Sequence, residues 1–188
     1  MIRKRWMTFV SGVVAALMIV ACSTTPRSAS AKRELYTQAD AVVQRFQERD
    51  SAIKTHMEKA YGYVVFPSVT KGGAGIGGAY GRGAVFEQGK FVGYADLTQG
   101  TIGLQLGGQE YSELILFQDK AALESFKAGN MELSAQASAI AAAEGDSSNA
   151  NYEDGVLVYT LGRGGLMFEA SVGGQKFSFA NAEGPPEA

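Results

Sequence analysis

Apolar side chains in the first third of the chain recur with the period of an α-helix. The apolar residues follow one another at three-, four- and seven-residue spacings, and charged side chains occupy the other faces. These apolar residues are Leu35, Ala39, Val42, Phe46, Ile53 and Met57. Asp50 interrupts the pattern and can cap a second helix. The pattern predicts two helices, at residues 31–49 and 51–60.

From residue 63 onward, short runs rich in Val, Ile, Phe and Tyr alternate with glycine, a pattern typical of antiparallel strands. Gly89 and Gly100 are natural turn positions between such strands. The runs predict strands at 63–68, 74–88, 90–98, 101–107 and 110–118. Asp119 is predicted to cap a helix over 120–127 that ends at Gly129.

The alanines of residues 131–144 favour a helix, whereas their alternation with polar residues favours a strand, and we predict a strand. Further strands are predicted at 156–161, 166–172 and 175–179. Helices first and antiparallel strands afterwards indicate an α+β fold. We expect N-terminal helices packed on a strongly twisted, glycine-rich antiparallel sheet or partial barrel.

The N-terminus has the layout of a secretory signal. Three basic residues precede the uncharged apolar stretch 6–21, and Cys22, the only cysteine, follows directly. This arrangement resembles the lipobox of bacterial lipoproteins, in which the cysteine is acylated and becomes the mature N-terminus. A transmembrane anchor is the alternative, but 16 apolar residues are fewer than the ~20 needed to span a bilayer.

This leader divides the chain into four predicted parts: a signal peptide at 1–21, an acylated cysteine and tether at 22–31, a folded domain at 32–180 and a disordered tail at 181–188. We expect a lipid-anchored protein of the bacterial cell envelope. Because Ser23 rather than Asp follows the cysteine, we expect it in the outer membrane, facing the periplasm.

Net charge limits the possible partners. Without residues 1–21, which hold three basic and no acidic side chains, 14 basic side chains face 19 acidic ones, a formal charge of −5. An acidic protein is poorly suited to nucleic acid, whose binding requires neutralised phosphates. Binding to an anionic lipid would therefore need a local basic patch.

A glycine stripe occupies residues 71–83, where nearly every odd position from 73 onward is glycine. A strand face without side chains suggests that a helix, another strand at a curved corner, or a ligand approaches the backbone closely. Gly73, Gly75 and Gly78 also match a dinucleotide-binding spacing, but the glycines that follow preclude the helix which that motif requires. Packing within a curved sheet is the favoured explanation.

Several segments, in order, resemble the SYLF domain: AYGYVVFP at 60–67, KGGAGIGG at 71–78, GRG at 81–83, GTIGLQLGGQ at 100–109, LILF at 114–117 and GRGGLMFE at 162–169. The resemblance covers residues 35–180. It implies binding to membrane lipids, with phosphoinositides as the class reported for eukaryotic members, and many bacterial members are single-domain lipoproteins. It also implies actin binding in the yeast branch, which we do not transfer because this chain has no SH3 or FYVE module.

Phosphate headgroups require Lys or Arg beside backbone amides. Lys71 and Arg82 flank the glycine stripe and Arg163 lies in a second glycine cluster, so these three are the predicted headgroup ligands. Lys90 and Lys176 are weaker candidates. Exposed charges that maintain solubility or protect a sheet edge are the alternative. The helical segment at 31–60 could also contact a membrane, but packing on the sheet is favoured.

The sequence contains few residues in arrangements that could support catalysis. His56 is the only histidine and has no neighbouring His or Cys, and strand-borne glutamates such as Glu113 are expected to face solvent. We predict no enzyme activity, cofactor or metal, and a non-enzymatic domain that binds acidic lipid headgroups, phosphoinositide-like ones included. The alternative is a structural lipoprotein that binds another envelope protein through an exposed strand edge.

Overall fold

The computed structural model describes residues 25–133, 147, 150–162, 165–166, 174–182 and 184–186. Three helices and six strands follow one another along this part of the chain: α1 (Ala29–Arg49), α2 (Ser51–Lys59), β1 (Gly62–Glu87), β2 (Lys90–Phe117), α3 (Lys120–Lys127), β3 (Glu132–Leu133), β4 (Val156–Gly162), β5 (Gly165–Leu166) and β6 (Gln175–Asn181). The strands form an antiparallel sheet that is not closed. The predicted α+β fold is confirmed.

Asp50 separates the two N-terminal helices. Its backbone N–H donates to Phe46 O at 3.1 Å and closes α1, while its carboxylate accepts from Ala52 N at 2.9 Å and starts α2. Both predicted helices are confirmed. The first begins at Ala29, within the segment predicted as a tether, because Ser28 Oγ caps it by accepting from Ala31 N.

The sheet is built around one long hairpin of β1 and β2. Gln88 and Gly89 form its turn with positive φ angles of 48° and 75°, which confirms the predicted turn at Gly89. The predicted turn at Gly100 is wrong, because β2 continues through this residue and pairs it with Gly78 of β1. Glycine is common both in turns and in strand faces that pack closely, so the presence of glycine alone did not show whether Gly100 lies in a turn or within a strand.

The hairpin folds back on itself, so that the two halves of β1 lie against each other. A Cβ on Gly83 would lie 2.7 Å from the ring of Phe66 and 2.7 Å from Val65 O, and one on Gly81 would lie 2.8 Å from Val69 Cγ2. Only a bare backbone fits at such distances. This finding confirms the expectation that the glycine stripe allows close packing within a curved sheet.

Because the hairpin folds back on itself, the two ends of β2 pair with different strands. Strand β6 pairs with β2 from Gly93 to Gln99, and β4 pairs with it from Tyr111 to Phe117. Two apolar layers result. Helices α1 and α2 cover one face, where Phe46 and Ile53 are fully buried, and α3 covers the other with Leu123 and Phe126.

The remaining strand and helix predictions have mixed outcomes. The helix capped by Asp119 and the strands near 156–161 and 175–179 are confirmed. Glu132 and Leu133 are in a strand, as are Gly165 and Leu166, and the other residues predicted as strand between 134 and 144 and between 167 and 172 lie outside the described residues. None of the helices in the described part of the chain is long and apolar enough to cross a membrane.

A charged cluster attaches α3 to the end of the hairpin. Lys127 Nζ lies 2.6 Å from Glu87 Oε2 and 3.1 Å from Glu124 Oε1, and the Tyr61 hydroxyl donates to Glu87 Oε1 at 2.8 Å. The hydrogen bonds from Lys127 and then Tyr61 lower the pKa of Glu87 below its ordinary value. Ionisation of Glu87 therefore stabilises the folded state.

Substitution of Gly83 by Ala tests the close approach within β1. The added methyl group would meet backbone as well as a buried ring, so we expect a loss of about 2–3 kcal/mol in the free energy of unfolding. Gly100→Ala is the matched control, because nothing lies within 4 Å of its Cβ position. Urea denaturation checks both, and equal stability of the two variants would contradict the packing.

Glu87→Gln should destabilise the domain by about 1–2 kcal/mol at neutral pH, since the pair with Lys127 is largely buried. Because folding lowers the pKa of Glu87, its contribution is complete above its ordinary pKa and is lost as the pH falls through the folded value. The stability difference between wild type and variant should therefore shrink in acid. Glu58→Gln, at an exposed position of α2, is the control. A stability difference between wild type and Glu87→Gln that does not change with pH would refute the ion pair between Glu87 and Lys127.

Candidate functional site

The face of β1 opposite the bare glycines carries the most distinctive surface of the described residues. Side chains alternate along a strand, so residues 80 and 82 point away from the face of Gly81 and Gly83. Register partners on adjacent strands share a face. Two rows across β1, β2 and β6 therefore form one surface, the β1–β2–β6 patch, which consists of Tyr80, Thr98 and Lys176 in one row and Arg82, Asp96 and Ser178 in the next.

Asp96 is a buried residue of this patch, and its carboxylate orients the neighbouring side chains. It is only 3% exposed, and its Oδ1 accepts from Arg82 Nε at 3.0 Å and from the Tyr80 hydroxyl at 3.1 Å. Arg82 Nη2 in turn donates to the Tyr80 hydroxyl oxygen at 2.9 Å. The three side chains thus form a closed set of hydrogen bonds, which fixes the guanidinium plane relative to the sheet.

Charge and burial act in opposite directions on these groups. Partial burial lowers the pKa of Arg82, but the hydrogen bond and the charge of Asp96 outweigh it and raise that pKa above its ordinary value. Burial, followed by the charge of Asp96, raises the pKa of Tyr80. At neutral pH the patch therefore presents a charged guanidinium and a protonated phenol.

The structure places two of the predicted headgroup ligands, Lys71 and Arg82, on opposite faces of β1. Lys71 is 5% exposed and, two residues after Val69, lies on the inward face of β1, whereas Arg82 lies on the outward face. Arg163 and Cys22 lie outside the described residues. Of these four predicted residues, Arg82 is the one that the structure places at an accessible surface.

Inside the fold lies a polar contact that the sequence did not predict. Glu113 is fully buried rather than solvent-facing, and Gln175 Nε2 donates to its Oε2 at 3.0 Å. The fold-back explains this contact, because it brings β6, paired with the first end of β2, next to the second end of β2. The expectation for Glu113 was wrong because alternation alone does not reveal which faces a folded hairpin encloses.

His56 helps to attach α2 to β4. Its Nδ1 lies 2.5 Å from the hydroxyl of Tyr159 on β4, and the Asp50 carboxylate accepts from Ser147 N at 2.7 Å nearby. Burial and then the charge of Lys59 lower the pKa of His56, against the opposing charge of Asp50. Within the described residues, no group of three or more His, Cys, Asp or Glu side chains could hold a metal ion.

The fold defines a small α+β domain. Residues 98–183 match the family model Ysc84, described as Las17-binding protein actin regulator. The chain is also 32% identical over 161 residues to "Beta cell expansion factor A" from Aeromonas veronii, an alignment that covers 81% of this chain and 59% of that relative.

The chain carries a domain of the Ysc84, or SYLF, family, which confirms the resemblance seen in its sequence motifs. This family is lipid-binding in general and points to a binding or regulatory protein. The chain spans 59% of the length of the curated relative that it matches.

Removal of the Arg82 charge tests the geometry of the patch. Arg82→Gln leaves the carboxylate of Asp96 buried without its cation, so we expect a loss of about 1–2 kcal/mol in the free energy of unfolding. Arg45→Gln, at an exposed position of α1, should change it by less than about 0.5 kcal/mol. Chemical denaturation provides the measurement, and an Arg82 variant as stable as wild type would show that the pair is not formed.

Proposed function

We propose that this protein is a non-enzymatic lipid-binding domain of a bacterial envelope lipoprotein, and that its β1–β2–β6 patch contacts acidic headgroups at the bilayer surface. The family's general lipid binding supports the class of ligand. In this proposal Cys22 carries the acyl anchor after removal of residues 1–21, and the domain faces the periplasm from the outer membrane.

The arrangement of Tyr80 and Arg82 is the observation that carries this proposal. Tyr80 is 43% exposed and is the one exposed large hydrophobic residue in the described part of the chain. Beside it, the Arg82 side chain is 33% exposed and held by buried Asp96. A partly exposed tyrosine and an arginine with an apolar stem are side chains suited to the boundary between lipid and water.

The short distance from the anchor to the first helix adds geometric support. Six residues, 23–28, separate Cys22 from the start of α1 at Ala29. Such a segment spans at most roughly 20 Å. An acylated Cys22 would therefore hold the domain within reach of the bilayer surface, and even a weak headgroup contact would gain from the high effective concentration.

The three predicted headgroup ligands have different places in this proposal. Arg82 supplies the surface charge. Lys71 is 5% exposed and is assigned no headgroup contact here, and Arg163 remains a prediction from the sequence. Actin regulation, which belongs to the description of the family model, is not part of the proposal.

Vesicle flotation of residues 23–188, which contain every described element of the fold, tests the proposal without the acyl anchor. We expect flotation with vesicles that contain phosphatidylglycerol and little with pure phosphatidylcholine. Arg82→Gln should weaken the association about five- to tenfold, because it removes one charge-assisted hydrogen-bond donor to the headgroup at a surface, while Arg45→Gln should not.

The stability of both variants is measured first, so that flotation is compared under conditions where each is folded. Flotation that the two substitutions reduce equally would indicate attraction by general charge and contradict a site at the patch. No flotation with any vesicle would leave Cys22 as the proposed membrane contact and favour a role in binding another envelope protein.

A further inference from the structure

Helix α2 is attached to the sheet by little apolar packing. Ile53 is its one buried side chain, whereas α1 buries four side chains and α3 buries three. Helix α2 has only nine residues, and a helix this short is marginal in water without tertiary support. The polar contact between His56 and Tyr159 of β4 therefore accounts for a large share of its attachment.

The contact between His56 and Tyr159 requires an unprotonated imidazole. Tyr159 is fully buried, and burial raises the pKa of its hydroxyl to about 12, so the phenol keeps its proton at neutral pH. The hydroxyl oxygen lies 2.5 Å from His56 Nδ1, and its O–H donates to that nitrogen when the imidazole is neutral. Protonation of Nδ1 turns the acceptor into a second donor, so it removes this hydrogen bond.

The surroundings of His56 favour the neutral imidazole. Among the described residues, the titratable groups around this contact are Lys59, Asp50, Tyr159 and Tyr152. Burial, followed by the charge of Lys59, lowers the pKa of His56, and the opposing charge of Asp50 does not compensate. Both carboxylate oxygens of Asp50 already accept backbone N–H groups, from Ala52 and Ser147.

We propose that His56 is a pH-sensitive latch of α2. The neutral imidazole holds α2 against β4 through Tyr159, and protonation in a mildly acidic medium releases this contact, so that α2 opens locally while the sheet stays folded. Opening uncovers part of the apolar layer that contains Ile53, Leu157 and Tyr159. The inference concerns the fold and does not depend on lipid binding.

The direction of the pH effect follows from proton linkage. Because folding lowers the pKa of His56, its contribution to the attachment is complete above the ordinary histidine pKa and is lost as the pH falls through the folded value. Carboxylates ordinarily titrate at lower pH than histidine. His56 is the only histidine, so a window from about pH 7.5 to about 5.0 reports mainly on this side chain.

Amide hydrogen exchange in residues 23–188, followed by NMR for each residue, is the test. We expect the open fraction of α2 to rise roughly three- to tenfold between about pH 7.5 and about 5.0, after correction for the intrinsic exchange rate. The paired amides of β1 and β2 should remain at least about tenfold less open than α2 throughout. In the same samples, the imidazole signals of His56 should titrate below the ordinary histidine pKa.

Substitutions at both ends of the contact separate the latch from a general effect of acid. His56→Asn cannot titrate, so the rise in α2 opening should disappear. Tyr159→Phe removes the hydroxyl and should open α2 roughly fivefold more at about pH 7.5. Tyr152→Phe is the matched control, because its hydroxyl makes no hydrogen bond with the described residues, and it should leave α2 unchanged.

Each of the following results would overturn the latch. The first is an open fraction of α2 that stays constant with pH, or a rise that persists in folded His56→Asn. The second is equal opening of α2 in Tyr159→Phe and Tyr152→Phe, and the third is loss of the sheet together with α2 at about pH 5.0. If His56→Asn does not fold, the wild-type titration and the two tyrosine variants still decide the matter.

Discussion

The close approach of the two halves of β1 at Gly81 and Gly83 is the constraint on which the rest of the structure depends. A side chain at either position would meet Val69 or Phe66 at less than 3 Å, so the two halves of β1 could not approach each other this closely. Because the hairpin does fold back, the two ends of β2 pair with different strands, β6 and β4. The same geometry brings Gln175 to Glu113 in the interior. Bare backbone thus determines the topology of the sheet as well as its curvature.

The proposed lipid surface follows from this packing through the alternation of side chains along β1. With the glycines turned inward, Tyr80 and Arg82 must point outward, where buried Asp96 orients both. Stability and function are therefore linked at the patch, since the carboxylate that supports the folded sheet also fixes the donor geometry. Removal of the Arg82 charge is expected to affect both stability and lipid binding. The control Arg45→Gln, at an exposed position, is therefore needed to separate the two effects.

Local signals predicted the helices, the turn at Gly89 and the cap at Asp119, because periodicity and capping are properties of neighbouring residues. Long-range geometry could not be predicted in this way. The partner of Arg82 is 14 residues away, and only the register of the hairpin identifies it as Asp96. Burial of Lys71 likewise depends on the register shift between Phe66 and Val69, and burial of Glu113 depends on the fold-back. The motifs identified the family, but not which of its basic residues reach the surface.

Fluorescence of a single tryptophan at the patch tests the central claim most directly. The only tryptophan of the chain is Trp6, in the predicted signal peptide, so Tyr80→Trp in residues 23–188 creates one reporter. Lys54→Trp, at an exposed position of α2, serves as its counterpart. Vesicles of phosphatidylglycerol with brominated acyl chains should shift the emission of the residue-80 reporter to the blue and quench it, while the residue-54 reporter stays unchanged. Quenching at residue 54 without quenching at residue 80 would show that another face meets the membrane and would contradict the account.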